Sequence, residues 1–116
     1  MPVHIKRIYE APSSNDGFRV LVDRLWPRGI KKETIQMDEW LKDVAPSSSL
    51  RKWFNHELEK WDEFSKKYTA ELQTSGAFKE LKALSVKHRT ITLLYSAKDN
   101  RHNQAVVLQQ LLELAD

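Results

Sequence analysis

Two short apolar segments, 18–25 and 89–96, constrain the fold of this chain more than any other feature. The first reads Phe-Arg-Val-Leu-Val-Asp-Arg-Leu and the second Arg-Thr-Ile-Thr-Leu-Leu-Tyr-Ser. Near-continuous runs of this kind are typical of strands that are covered on both faces. The sequence between them is mostly helical in its periodicity, and a long helical connection between two buried strands predicts parallel pairing in one sheet.

Helical periodicity predicts four helices between these strands and one after them. Their apolar stripes are, in chain order, Met37, Trp40, Leu41 and Val44, ended by Pro46; Leu50, Trp53 and Phe54 behind the capping candidates Ser47–Ser49; Trp61, Phe64, Tyr68 and Leu72; Phe78, Leu81 and Leu84; and Ala105, Leu108, Leu111, Leu112 and Ala115.

A third strand is predicted at Val3–Tyr9, where apolar and polar side chains alternate so that one face is mostly polar. This pattern is typical of an edge strand, and its direction is left open because the link to the next strand is short for a parallel crossover. The fold class predicted for residues 1–116 is therefore a single α/β domain. Its small, mostly parallel sheet is flanked by helices in a Rossmann-like layering.

Composition excludes several classes of protein. The chain has 116 residues, of which 41% are apolar and 30% charged, as in a globular domain. It has no cysteine, so disulfides, a thiolate nucleophile and zinc–thiolate sites are excluded. No apolar run approaches the roughly 20 residues of a membrane span, and no signal-peptide pattern follows the first charges. A cytoplasmic protein that makes no membrane contact is expected.

Two loops qualify as a binding site, because ligands of open α/β sheets bind beyond the carboxyl ends of the strands. These are residues 23–32 and 95–104, and parallel strands would bring both to one edge. Arg24 and Arg28 flank a stiff Trp26-Pro27 and, with Lys98 and the N-terminus of the last helix, would favour an anion. The alternatives are a solvated surface for Lys98, an ion pair of Arg24 with Asp23 or Asp99, and a core role for Trp26.

Three residues are candidates for acid–base chemistry: Asp23, His56 and His102. Asp23 ends a predicted strand, so the alternative for it is a loop cap or a partner for an arginine. His102 falls in the first turn of the last helix, where the helix dipole disfavours the imidazolium; the alternative is a surface residue. The four histidines have no metal-ligand spacing, and no nucleotide-binding motif is present, so neither a metal nor a cofactor is predicted.

Several strings of this sequence resemble the YeaO-like branch of a bacterial family of uncharacterised small α/β domains. The most specific is the string Asp-Arg-Leu-Trp-Pro-Arg-Gly at 23–29, and further matches are Arg7-Ile8-Tyr9, residues 50–54, residues 92–99 and His102-Asn103. The resemblance implies a bacterial or archaeal cytoplasmic protein without an established activity. Arg51, Tyr95 and Asn103 lie in the matched segments and join the candidates for ligand binding.

One departure from the family pattern bears on mechanism. Longer relatives carry Cys-His-Arg where this chain has Arg101-His102-Asn103, in a placement similar to the phosphate- or sulfur-handling loops of rhodanese-like folds. The resemblance therefore implies that thiolate catalysis is absent from this branch. Anion binding near His102 and Asn103 is what remains.

The leading hypothesis is a pocket for a phosphorylated or carboxylated small molecule, and whether it is an enzyme stays open. The alternative is a nucleic-acid-binding or regulatory protein, suggested by a pI near 9.2 and by Lys31-Lys32. Against it, the net charge is only +3 and no helix-turn-helix or RNA motif is present, so specific nucleic-acid binding is not expected. A protein-interaction module using the Trp-rich helices is a third class. Convergence of Arg24, Arg28 and Lys98 in one pocket would favour the first.

Overall fold

The computed structural model describes residues 3–114, which form one α/β domain. Three short 3₁₀ turns accompany the main elements, at Ser14–Asp16, Lys42–Val44 and Leu58–Lys60. The main elements in chain order are β1 (Val3–Arg7), β2 (Phe18–Leu21), β3 (Glu39–Trp40), α1 (Ser48–Phe54), α2 (Trp61–Gln73), α3 (Gly76–Lys87), β4 (Ile91–Tyr95) and α4 (Gln104–Leu114).

The four strands form one all-parallel sheet in the order β1-β4-β2-β3. Ile91 of β4 is in register with Val3 of β1 on one side and with Phe18 of β2 on the other. The parallel pairing predicted for the two apolar segments is thus confirmed, and β1 is an edge strand as predicted. All four carboxyl ends therefore lie at one edge of the sheet.

The two faces of the sheet are covered in different ways. Val20 and Leu93 belong to the larger core cluster, which receives apolar side chains from all four helices. Leu21 and Leu94 point the other way, and their cluster receives no residue from a described helix. It is completed by the non-helical segment 26–40, which contributes Trp26, Ile30, Ile35, Met37 and Trp40.

The helix predicted over Met37–Val44 is wrong, because the structure has strand β3 followed by a 3₁₀ turn there. Met37 and Trp40 pack on one side of the sheet, whereas Leu41 and Val44 pack in the larger cluster on the other. A strand that passes the edge of the sheet distributes its apolar residues to both sides. The helical spacing of these four residues is a coincidence of that path.

The strand predicted at 18–25 is too long at its carboxyl end. Hydrogen bonding to β4 stops at Val22, whose N–H donates to Leu94, and the chain then leaves the sheet. Leu25 is consequently 63% exposed instead of buried. Strand β1 ends two residues earlier than predicted, and β4 begins two residues later and ends one residue earlier.

The remaining helices lie where the apolar stripes predict them. Ser47 caps α1, because its Oγ accepts a hydrogen bond of 3.2 Å from the N–H of Leu50. In α2, the Tyr68 hydroxyl donates to the carbonyl of Val44 at 2.6 Å and ties the helix to the turn after β3. The predicted inward position of Ala115 lies outside the described residues. None of the helices in residues 3–114 is long and apolar enough to cross a bilayer.

Candidate functional site

A cleft of about 860 Å³ lies at the carboxyl edge of the sheet. Its walls come from the loops after β1, β2 and β4, from the segment before α1 and from the C-terminal end of α1. Nine of the ten predicted site residues line it: Asp23, Arg24, Trp26, Arg28, Arg51, His56, Lys98, His102 and Asn103. The parallel topology explains this convergence, because it brings the loops that follow β2 and β4 to one edge.

Asp23 is the first polar residue beyond β2, and it is 8% exposed. Its Oδ2 accepts a hydrogen bond of 3.0 Å from the N–H of Ser96, and its Oδ1 accepts one from the side-chain amide of Gln104. Burial raises the pKa of Asp23 above its ordinary value of 3.8, while these hydrogen bonds and the charge of Arg51 oppose the rise. Asp23 is thus a buried carboxylate that holds two loops together at the base of the cleft.

Arg24 is committed to the protein backbone. Its Nε donates to the carbonyl of Pro46 at 3.2 Å and its Nη2 to that of Ala45 at 3.1 Å, while Nη1 lies 3.9 Å from the exposed carboxylate of Asp43. The alternative of an ion pair with Asp23 or Asp99 is not what the structure has. Arg24 therefore holds the segment before α1 against the loop after β2, and it also lines the cleft.

Trp26 and Arg28 differ in how they are used. Trp26 donates from Nε1 to the carbonyl of Ile30 at 2.7 Å and packs edge-on against Trp40, so its main contacts are with the core. The side chain of Arg28 is exposed and has no hydrogen-bond partner among residues 3–114. Its carbonyl accepts a bond of 2.8 Å from the hydroxyl of Tyr9, which anchors the backbone of the loop. Arg28 therefore presents a free guanidinium on an anchored loop.

His102 and Asp99 form a dyad just before α4. The His102 Nδ1 lies 3.0 Å from Oδ2 of Asp99, whose Oδ1 also accepts the backbone N–H groups of Arg101 and His102. The hydrogen bond from Arg101, aided by His102, holds the pKa of Asp99 below its usual value. The ring packs edge-on against Trp61 with centroids 5.2 Å apart, and within residues 3–114 Nε2 has no hydrogen-bond partner, so it can accept or donate a proton.

Asn103 and Tyr95 have structural roles. Asn103 caps α4: its Oδ1 accepts the N–H of Val106 at 3.2 Å and its Nδ2 donates to the carbonyl of Asp99 at 2.9 Å. Tyr95 does not line the cleft, because its side chain is 2% exposed and packs in the larger core cluster. Lys98, between them, is exposed and has no hydrogen-bond partner among the described residues.

The end of α1 adds Arg51 and His56 to the cleft. Both side chains are exposed, and Arg51 is close enough to Asp23 to lower its pKa by its charge. Asn55 and His56 have positive φ angles of 46° and 56°; asparagine adopts this conformation readily at the end of a helix, whereas at His56 it costs about 1–2 kcal/mol. Backbone strain of this kind often accompanies functional sites, and His56 lines the cleft.

Arg7 is a site residue that the sequence pattern did not single out. It ends β1, its Nε donates to the carbonyl of Ala97 and its Nη2 to that of Ser96, both at 3.0 Å, and it lies over the ring of Tyr9. Arg7 thus grips the loop after β4 as Arg24 grips the segment before α1. The available signal is an arginine near the end of the predicted strand Val3–Tyr9, but the sequence leaves the direction of that strand open, and only the parallel pairing with β4 brings Arg7 to the edge of the cleft.

The cleft concentrates positive charge. Six lysines and arginines line it, namely Arg7, Arg24, Arg28, Arg51, Lys52 and Lys98, against the single carboxylate of Asp23. The formal charge of the lining is therefore +5, whereas the whole chain carries only +3. Within residues 3–114, no three His, Asp or Glu side chains come together to hold a metal ion. Such a surface attracts anions.

Comparison with known proteins places the chain among relatives without an assigned activity. The family model described as the inactive DUF488-N3 subclade matches residues 2–115. The chain is 44% identical over 112 residues to the uncharacterised protein YeaO of Escherichia coli K12, covering 97% of both chains. It is 43% identical over 110 residues to uncharacterised proteins of Mycobacterium bovis and Mycobacterium tuberculosis, covering 95% of this chain and 92% of theirs. No solved structure gives a significant match.

Proposed function

The chain belongs to the inactive DUF488-N3 subclade, as its predicted YeaO-like resemblance implies, and from this premise we propose that it binds a small anion in the cleft. The anion is a phosphorylated or carboxylated small molecule. The observation that carries the proposal is the imbalance of charge in the lining, where six cationic side chains surround one buried carboxylate. Without a cysteine, binding does not lead to thiolate chemistry.

The cations that line the cleft have two different roles in this proposal. Arg28, Arg51 and Lys98 are exposed and have no hydrogen bonds to their charged groups within the described residues, so they are available to an anion. Arg7 and Arg24 hold the loops in place and add their charge. Helix α4 begins at Gln104 beside the cleft, and the positive end of its dipole adds to the attraction for an anion.

The nucleic-acid alternative receives less support. Lys31 and Lys32, which motivated it, do not line the cleft, and Lys32 lies over the ring of Trp26. Six cations line one concave site, and a concave site suits a small ligand better than a duplex.

A titration with inorganic phosphate tests the proposal. At constant ionic strength, phosphate should raise the midpoint of thermal unfolding, because a ligand that binds only the native state stabilises it. The double variant Arg28→Ala/Lys98→Ala should lose this shift. Lys66→Ala/Lys79→Ala removes the same charge from two exposed residues outside the cleft and should keep it. If both double variants lose the phosphate-induced shift of the unfolding midpoint equally, phosphate stabilises the protein only through the overall positive charge of the chain.

A further inference from the structure

The cleft is not lined by charge alone. Leu25, the residue between Arg24 and Trp26, is 63% exposed and lines the cleft. Pro27, Phe54 and Phe64 also contribute to the lining, and the two phenylalanine rings stack on each other with centroids 4.4 Å apart. The two phenylalanines are 6% and 2% exposed, so Leu25 is the exposed apolar side chain beside the cation of Arg24.

An inorganic anion leaves this apolar surface unused. A cleft of about 860 Å³ is in the size range of sites for organic ligands and cofactors, and it is far larger than a single phosphate ion. Sites for organic ligands combine an apolar wall with a few polar groups that orient the ligand, which is the combination seen at this edge of the sheet.

We propose that the ligand is a phosphate monoester that carries an aromatic ring, an inference that rests on the proposed anion site. The lining charge of +5 fits a phosphate dianion better than a single carboxylate. The ring is favoured over an aliphatic chain because the free guanidinium groups of Arg28 and Arg51 have flat faces that stack on aromatic rings. In this proposal the ring packs on Leu25, and Lys98 contributes to binding of the phosphate, since both residues line the cleft.

Binding of phenyl phosphate and of inorganic phosphate to the full chain, measured by calorimetry at constant ionic strength, tests this inference. Phenyl phosphate should bind at least about tenfold more tightly than inorganic phosphate. Leu25→Ser should weaken the binding of phenyl phosphate at least about threefold and leave the affinity for inorganic phosphate unchanged. Leu58→Ser is the matched control, because Leu58 is 56% exposed but lies outside the cleft.

The outcomes separate this inference from the proposal on which it rests. Equal affinities for the two probes would overturn the aromatic ester and leave the anion site standing. Failure of both probes to bind would overturn the anion site itself. Tighter binding of phenyl phosphate that is unaffected by Leu25→Ser, or weakened equally by Leu58→Ser, would overturn the position given to the ring.

Discussion

The carboxylate of Asp23 accepts a hydrogen bond of 3.0 Å from the backbone N–H of Ser96, which lies 73 residues further along the chain. Asp23 follows β2 and Ser96 follows β4, so this bond joins the two loops that build the cleft. The second carboxylate oxygen accepts from Gln104 at the start of α4. One buried side chain thus sets the relative positions of two loops and a helix.

Replacement of Asp23 should therefore weaken the fold. In Asp23→Ala, the N–H of Ser96 and the side-chain amide of Gln104 lose their acceptor, so we expect a loss of about 1–3 kcal/mol in the free energy of unfolding. Urea unfolding measures this loss. Asp43→Ala makes the same change at an exposed carboxylate and should cost no more than about 0.5 kcal/mol. Similar losses in both variants would contradict the role given to Asp23.

The pH dependence of stability should have opposite signs for Asp23 and Asp16. Burial opposes ionisation of Asp16, but hydrogen bonds from Ser13, Lys6 and Arg19 outweigh it and lower the pKa of Asp16 below 3.8. The contribution of ionised Asp16 to stability is therefore present above the unfolded pKa of 3.8, and it is lost as the pH falls through the folded pKa of Asp16. The pKa of Asp23 is raised, so its contribution increases as the pH falls towards 3.8.

Denaturant unfolding of the wild type, Asp16→Asn and Asp23→Asn across the acid range checks these signs. The stability difference between the wild type and Asp16→Asn should shrink as the pH falls. At neutral pH it should be about 3 kcal/mol, because the variant leaves Arg19, which is 7% exposed, without its buried partner. The difference for Asp23→Asn should instead grow as the pH falls. Slopes of the same sign would contradict the environments assigned to the two carboxylates.

Gly17 should tolerate no side chain. Its φ is +66°, and a Cβ there would lie 2.3 Å from the carbonyl oxygen of Thr90, in backbone that cannot move without disturbing β4. We expect Gly17→Ala to lower the free energy of unfolding by about 2–4 kcal/mol, from the left-handed conformation and the clash together. Gly76→Ala is the control: nothing lies within 4 Å of its added Cβ, and alanine at this helical position should stabilise by about 0.5 kcal/mol. Equal effects would show that Gly17 is not sterically required.

Much of this fold follows from the sequence for identifiable reasons. Parallel pairing of β2 and β4 is predictable because both are apolar on two faces and a helical block separates them. Strand β3 is not, because it has two residues and its pairing depends on Val20 and Leu21 being already in the sheet. At the site, the topology brings the loops together, and nine candidates line the cleft. The partners of Arg24 are not predictable, since they are backbone carbonyls whose positions exist only in the folded chain.

The His102–Asp99 dyad should select one tautomer of the neutral imidazole. With Asp99 accepting at Nδ1, the proton of neutral His102 should reside on Nδ1 and leave Nε2 unprotonated. Long-range ¹H–¹⁵N spectra of the histidine rings distinguish the two nitrogens directly. In Asp99→Ala the preference should disappear, whereas His4, which is exposed, should show the same spectrum in both proteins. A wild-type His102 protonated at Nε2 would contradict the dyad.

Arg24 and Arg28 flank the same Trp-Pro, yet the structure separates their roles. Arg24 donates to the carbonyls of Ala45 and Pro46, both buried, so Arg24→Ala leaves two acceptors without partners and should cost about 1–3 kcal/mol of stability. Arg28 has an exposed side chain, and Arg28→Ala should change stability by less than about 0.5 kcal/mol.

For phosphate binding, in contrast to stability, we expect the loss of Arg28 to have a larger effect than the loss of Arg24. Arg28→Ala should weaken phosphate binding about tenfold, because a charge-assisted hydrogen bond contributes roughly 1.5–3 kcal/mol. Arg24→Lys separates charge from geometry: it keeps the positive charge, but one ammonium group cannot replace a guanidinium that spans two carbonyls. This variant should stay destabilised while it retains most of its phosphate affinity. Urea unfolding and calorimetry of the three variants measure both quantities, and a fully stable Arg24→Lys would show that the charge of Arg24, and not its fork of donors, holds the segment before α1.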